Sequence, residues 1–318
     1  KYTNVPTDYL PAWSLLNFTL SRIGGDDPVR ILFTYRLGFF LLTALNLLLI
    51  LGILRTIAPR RVLSGLILFG WHPVVALGAS SRVDIPMAFF LLLAVFLLIH
   101  GPRLLATTAL TLSAFTKWIT LPILAMHVLS SVATRQWRRL AIDLLVCATT
   151  APIIYLPFTI DAGIFKTHFD MLMRGGSSAP AMLNGPLLVG FAITVLWLAR
   201  KSHDDLNRQL PRWAIVMLVF VALMSKIGYG WYVITPMALV CLVPDGRLVA
   251  IAVSLGAAAF AFQWRDNSFD SAFPLPNMFA LHRYWTFLIL ALVTGILGFM
   301  TFRQSREIRR QVGRTQSR

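Results

Sequence analysis

The stretch Phe69–Phe89, FGWHPVVALGASSRVDIPMAF, decides how the chain is read. It begins in a Pro-interrupted apolar segment, bends through small residues, presents Arg82 and Asp84, and returns at once to hydrocarbon. Ionisable side chains between two apolar runs are costly in lipid unless they lie in a wet cavity or at the interface, so they are candidates for function. We read the stretch as one wall of a site on a membrane protein.

Composition extends that reading outward. Of 318 residues, 57 % are hydrophobic and only 13 % charged, where soluble domains carry roughly 25 % charged residues. The mean hydropathy is +0.71. The apolar runs are solid, not alternating, which indicates membrane-spanning helices over a β-barrel. The net charge of +16 is spread over short loops without a binding module, which argues against nucleic acid; basic loops held on the cytoplasmic side explain it more simply. Cys147 and Cys241 fall inside predicted helices and match no metal spacing.

Along the chain, Lys1–Pro11 is a loop, Tyr9–Ile23 a short interfacial helix, and Gly24–Pro28 a break. Spans are predicted at Ile31–Leu54, Val62–Ala79, Ile85–Ile99, Leu140–Phe158, Gly185–Ala199, Ala214–Met224, Trp231–Val243, Leu248–Phe262 and Tyr284–Phe302. Leu104–Val132 reads as two short helices meeting at Lys117, because a straight helix would bury an ammonium. Thr159–Asn184 and Gln263–Arg283 are long loops. The expected fold is all-α, a polytopic transmembrane helical bundle of about 10–11 crossings. Residues 1–29 form an outer-face loop and juxtamembrane helix, 30–303 the transmembrane domain, and 304–318 a basic cytoplasmic tail. If Arg55–Arg61 is cytoplasmic, alternation puts the other basic clusters on that same side. Both long loops, Arg82, Asp84, Lys117 and Lys226 then share the outer side.

Four segments, taken in order, resemble the GT-C superfamily of membrane glycosyltransferases. WHPVVALGASSRVDIPMAFFLLLAVFLL (71–98) is similar to that family's apolar helix, short Asp-bearing loop and long apolar helix. TLSAFTKWITLPILAMHVL (111–129) resembles its helix broken at a lysine, KYTNVPTDYLPAWSLLNFTLSRIGG (1–25) its juxtamembrane segment, and KIGYGWYVITPMALV (226–240) its later Trp-Tyr and Pro helix. His72 stands where the family has Asn before proline. The resemblance implies transfer of a sugar such as mannose from a polyprenyl-phosphate donor to a glycan or lipid acceptor, on the outer face of a bacterial plasma membrane. It also implies that the principal catalytic Asp lies in a first outer loop; we expect that loop, and a further helix, upstream of Lys1.

Asp84 and Asp8 are the candidate catalytic carboxylates, and Lys117, Arg82 and Lys226 the candidate donor-phosphate cations. Plainer roles stand beside these. Asp84 fits an N-cap ahead of Ile85 and Pro86, Arg82 a partner for Asp84, and Lys117 a lysine snorkelling to the surface. His72 fits a packed core histidine. No residue set specifies a metal site, and a divalent metal is left open. The alternative functions are a transporter or lipid-carrier flippase, or an inactive fragment lacking the catalytic loop.

Overall fold

The structure, a computed structural model, describes residues 10–72, 74–75, 82–158, 181–201, 205–223 and 230–269. Among the described residues every regular element is a helix. The helices are α1 (Pro11–Gly24), α2 (Pro28–Ile57), α3 (Val62–Gly70), α4 (Asp84–His100), α5 (Arg103–Thr116) and α6 (Leu121–Ala133). They continue with α7 (Trp137–Tyr155), α8 (Ala181–Arg200), α9 (Leu206–Leu223), α10 (Ile234–Val240) and α11 (Gly246–Phe269). Short 3₁₀ turns at Pro59–Arg61, Trp118–Thr120, Leu156–Phe158 and Gly230–Val233 join or extend them.

Local chemistry sets most of these boundaries. The Asp27 carboxylate accepts the Val29 N–H at 3.0 Å ahead of Pro28, capping α2. Asp205 and Asp245 do the same for α9 and α11 through Asn207 and Arg247, each supplying an acceptor to a first-turn N–H that has no helical partner. At α2's far end Pro59 disfavours helical geometry in the residue before it, and the helix stops. Between α5 and α6, Pro122 has no N–H for the Trp118 carbonyl and suits the first turn of a new helix, and the chain breaks at Lys117.

Among the described residues α2, with 30 residues and a hydropathy of 2.5, is long and apolar enough to cross a membrane. α1 folds back along its first half, antiparallel: Tyr35 donates to the Asn17 carbonyl, and Trp13 meets Phe39 edge-on. Helices α4 to α7 run up and down in series. Arg103 and Thr107 of α5 meet Ser131 and His127 of α6, so those two are antiparallel. Thr111 meets Cys147 and Phe115 meets Tyr155, so α7 runs parallel to α5. The core centres on α4, whose Leu91, Leu92 and Val95 are buried, and on α10, which is buried along its whole length.

Several expected elements differ. The Val62–Ala79 span stops as a helix at Gly70, ahead of Pro73, and is helical again at 74–75. Trp231–Val243 is a turn and a seven-residue helix inside the core; its near-uniform hydrophobicity comes from burial among other helices, which a crossing would share. α9 begins at Leu206, well before Ala214, and carries Arg208 and Arg212 inside it. α8 and α11 extend into the expected loops, starting at Ala181 and ending at Phe269. Cys241 lies just past α10. The Tyr284–Phe302 span and the basic tail lie outside the described residues.

Candidate functional site

The α4–α5 hairpin turns at Gly101–Pro102, so its open end brings together residues nearly equidistant from the turn: Asp84, which opens α4, and Lys117, which follows α5. Lys117 Nζ stands 3.1 Å from Asp84 Oδ1 and 3.2 Å from Oδ2. The Asp84 side chain is fully buried, and that of Lys117 is 11 % exposed. Lys117 leaves the helix with extended backbone, φ −160° and ψ 139°, which swings its side chain out of the helical path. Each charge also suits its helix end, with the anion at the partly positive start of α4 and the cation at the partly negative end of α5.

The ammonium has a second neighbour. The Tyr232 ring, on the 3₁₀ turn that enters α10, places its centroid 3.9 Å from Nζ. A desolvated cation over an aromatic face gains on the order of 2 kcal/mol. Beneath the pair, Ser113 Oγ donates to the Met87 carbonyl at 2.9 Å and lies 3.0 Å from Thr120 Oγ1, tying α4, α5 and the break together. Asn46, buried midway along α2, donates to the carbonyl of Ile85 at 3.2 Å. Its Oδ1 is buried with no partner among the described residues.

These positions revise two of the plainer readings. Asp84 is not the N-cap of α4: Val83 occupies that position, no side chain caps the helix, and the carboxylate turns to Lys117. Lys117 does not snorkel to the surface, since a carboxylate within the core is a better partner than a long reach to solvent. The Asp84 carboxylate is held by Lys117 across the hairpin, and Arg82, two residues before it, is half-buried. His72 is a packed histidine: its Nδ1 accepts the Val74 N–H at 3.3 Å, and its ring rests on Gly256, where no Cβ would fit. Asp8 and Lys226 lie outside the described residues.

A second ionic cluster, which sequence reasoning missed, lies at the other end of α5. Arg103 grips Asp143 of α7 with two groups, Nη2 to Oδ2 at 2.8 Å and Nε to Oδ1 at 3.3 Å. The same carboxylate accepts Thr107 Oγ1 at 2.8 Å and Ser131 Oγ at 3.2 Å. His127 Nε2 is 3.0 Å from Thr107 Oγ1. The hydroxyl has one proton, which the carboxylate takes, so Nε2–H donates to the oxygen and His127 is the Nε2-protonated tautomer. Asp143 is fully buried and every one of these bonds crosses between helices. The only signal in the sequence was spacing, with Arg103 and Thr107, then His127 and Ser131, each four apart on one helical face.

Among the described residues no three His, Cys, Asp or Glu side chains gather as a metal site. An apolar cleft of about 190 Å³ between Ile57, Leu210 and Leu242 has no ionisable group in its lining. Two buried ionic groups therefore stand out among the described residues, the Arg103–Asp143 cluster and the Asp84–Lys117 pair, and the second joins a cation and a carboxylate that sequence reasoning had already singled out. Compared with known proteins, the chain matches no family model, no curated protein and no solved structure.

Proposed function

We propose that this chain is a polytopic integral membrane glycosyltransferase of GT-C type, transferring a sugar such as mannose from a polyprenyl-phosphate donor at an outer-face site. Lys117 binds the donor phosphate, with Arg82 and Lys226 assisting, and Asp84 or Asp8 serves the acceptor hydroxyl. The observation that carries the reading is the Asp84–Lys117 pair recessed at the open end of a short helical hairpin. Helix α4 is about 25 Å long and α5 about 21 Å, against a hydrocarbon thickness of about 30 Å. A hairpin that starts at one membrane surface thus ends several ångströms short of the other. A charged headgroup on a lipid tail, entering between helices, meets the pair at that depth.

Outward apolar faces support the membrane setting. Leu32, Phe33, Phe40, Leu41 and Leu48 of α2, Leu145 and Ile153 of α7, and Ile193 and Leu196 of α8 are all exposed. Surface apolar patches of this extent mark interaction with lipid or a partner. The test is sugar transfer by the purified full chain from radiolabelled polyprenyl-phosphate mannose and glucose. Activity that Lys117→Met reduces by a hundredfold or more is expected; absence of transfer from every such donor would sink the enzyme reading.

A second reading, a transporter or lipid-carrier flippase, gains from the Arg103–Asp143 cluster, because ionisable groups then occupy both ends of α5. Flipping of a fluorescent polyprenyl phosphate in proteoliposomes, without sugar transfer, would favour it.

A further inference from the structure

Lys117 is already engaged on two sides, and its two neighbours differ in kind. Its ammonium carries three N–H donors; Asp84 Oδ1 and Oδ2 lie 3.1 and 3.2 Å from Nζ, and the Tyr232 ring centroid lies 3.9 Å away. A carboxylate competes directly with any incoming anion for the same charge. An aromatic face does not, because it attracts the cation whatever else the cation holds. We propose that the site takes up an anionic headgroup by exchange: the anion displaces the Asp84 carboxylate from Lys117 while Tyr232 retains the ammonium. Tyr232 is then the positioning residue of the anion site and Asp84 its internal competitor. The inference rests on the reading of Lys117 as the anion-binding group and assigns roles to its neighbours that the reading alone does not.

The architecture permits the exchange. Asp84 and Lys117 sit at the ends of two different helices, and the Lys117 backbone is extended, so re-aiming either side chain breaks no helical hydrogen bond. Tyr232 is fixed from behind, because its turn leads into α10, whose seven residues are all buried and which packs on α4. The cation's aromatic contact is thus held by a rigid element, and its ionic contact by a side chain alone.

Binding, measured separately from sugar transfer, tests this. The full chain in lipid nanodiscs is titrated with farnesyl phosphate, and with farnesol as the neutral control. Asp84→Asn removes the competitor and raises the fraction of protein ready to accept the anion, so farnesyl phosphate binds it about tenfold tighter than wild type, with farnesol unchanged. Tyr232→Leu binds farnesyl phosphate several-fold more weakly than Tyr232→Phe, which keeps the ring face. Equal or weaker binding by a folded Asp84→Asn protein overturns the exchange. The Tyr232 pair leaves the ion pair intact and so guards against a folding failure of Asp84→Asn; equal affinities of its Leu and Phe forms overturn the positioning role. If wild type prefers farnesyl phosphate no more than farnesol, the anion reading falls and the exchange with it. Transfer activity alongside a negative exchange result leaves the enzyme reading standing and removes only this inference.

Discussion

The Asp84–Lys117 pair is held in place chiefly by what it would cost to break it. Two buried charges attract strongly but give up water to do so, and the net gain over an apolar pair is small or negative. Removing one partner is another matter, because the survivor stays buried and uncompensated. Lys117→Met should therefore lower stability by about 3–5 kcal/mol, and adding Asp84→Asn should restore most of it, as read from denaturation midpoints in detergent. A double variant as unstable as the single one would mean that packing, not charge, dominates there. Both residues were legible in the sequence as ionisable groups amid apolar runs, but their partnership was not. Whether Asp84 meets Arg82, two positions away, or Lys117, 33 away, depends on where α4 and α5 start and stop, and a register error of one or two residues rotates either side chain out of reach. Asn46 and Asp143 went unread for a related reason. One polar residue in a long apolar run carries no sign of which neighbouring helix will satisfy it.

At the scale of elements, a charge inside an apolar run was a better guide than uniform hydrophobicity. The break at Lys117 was legible because a straight helix through it would bury an ammonium, and Pro122 in the first turn of α6 suits a new helix starting there. Trp231–Val243 misled because a run buried among other helices looks like a run buried in lipid, and length was the only arbiter. What fixes α5, α6 and α7 against one another is the Arg103–Asp143 cluster, where Arg103, Thr107 and Ser131 converge on one carboxylate and His127 joins through Thr107. A fully satisfied network of this kind rigidifies the helices it joins. Its contribution can be apportioned only by a double-mutant cycle, with Arg103→Met and Asp143→Asn measured singly and together. The expected coupling is within about 0.5–3 kcal/mol, with each single change more harmful than half of the double. Additive effects would show that α5 and α7 are held by their apolar contacts, and that the cluster is merely accommodated.

For the whole molecule, the membrane setting turns on α2, whose outward face is as apolar as its inward one. Its exposed side includes Leu41, 52 % exposed, while Asn46 is completely buried. In water that arrangement wastes apolar area; in lipid it is the expected one, with the polar group turned inward to a partner. Arg36 and Arg55 bracket the uncharged part of this helix, and they lie about 28 Å apart along its axis, close to the hydrocarbon thickness of about 30 Å. Two measurements separate the settings. Leu41→Arg touches nothing in the core, so in water it should change stability by no more than about 0.5 kcal/mol, whereas in a bilayer insertion should be disfavoured by about 2.5–3.5 kcal/mol. Single cysteines at Asp26 and Arg60, introduced after Cys147 and Cys241 are changed to Ala, should react with a membrane-impermeant maleimide from opposite sides of sealed vesicles. Labelling of both from one side would remove α2 as a crossing. Because Asn46, midway along α2, bonds the Ile85 carbonyl beside Asp84, the placement of the proposed site at membrane depth would fall with that crossing.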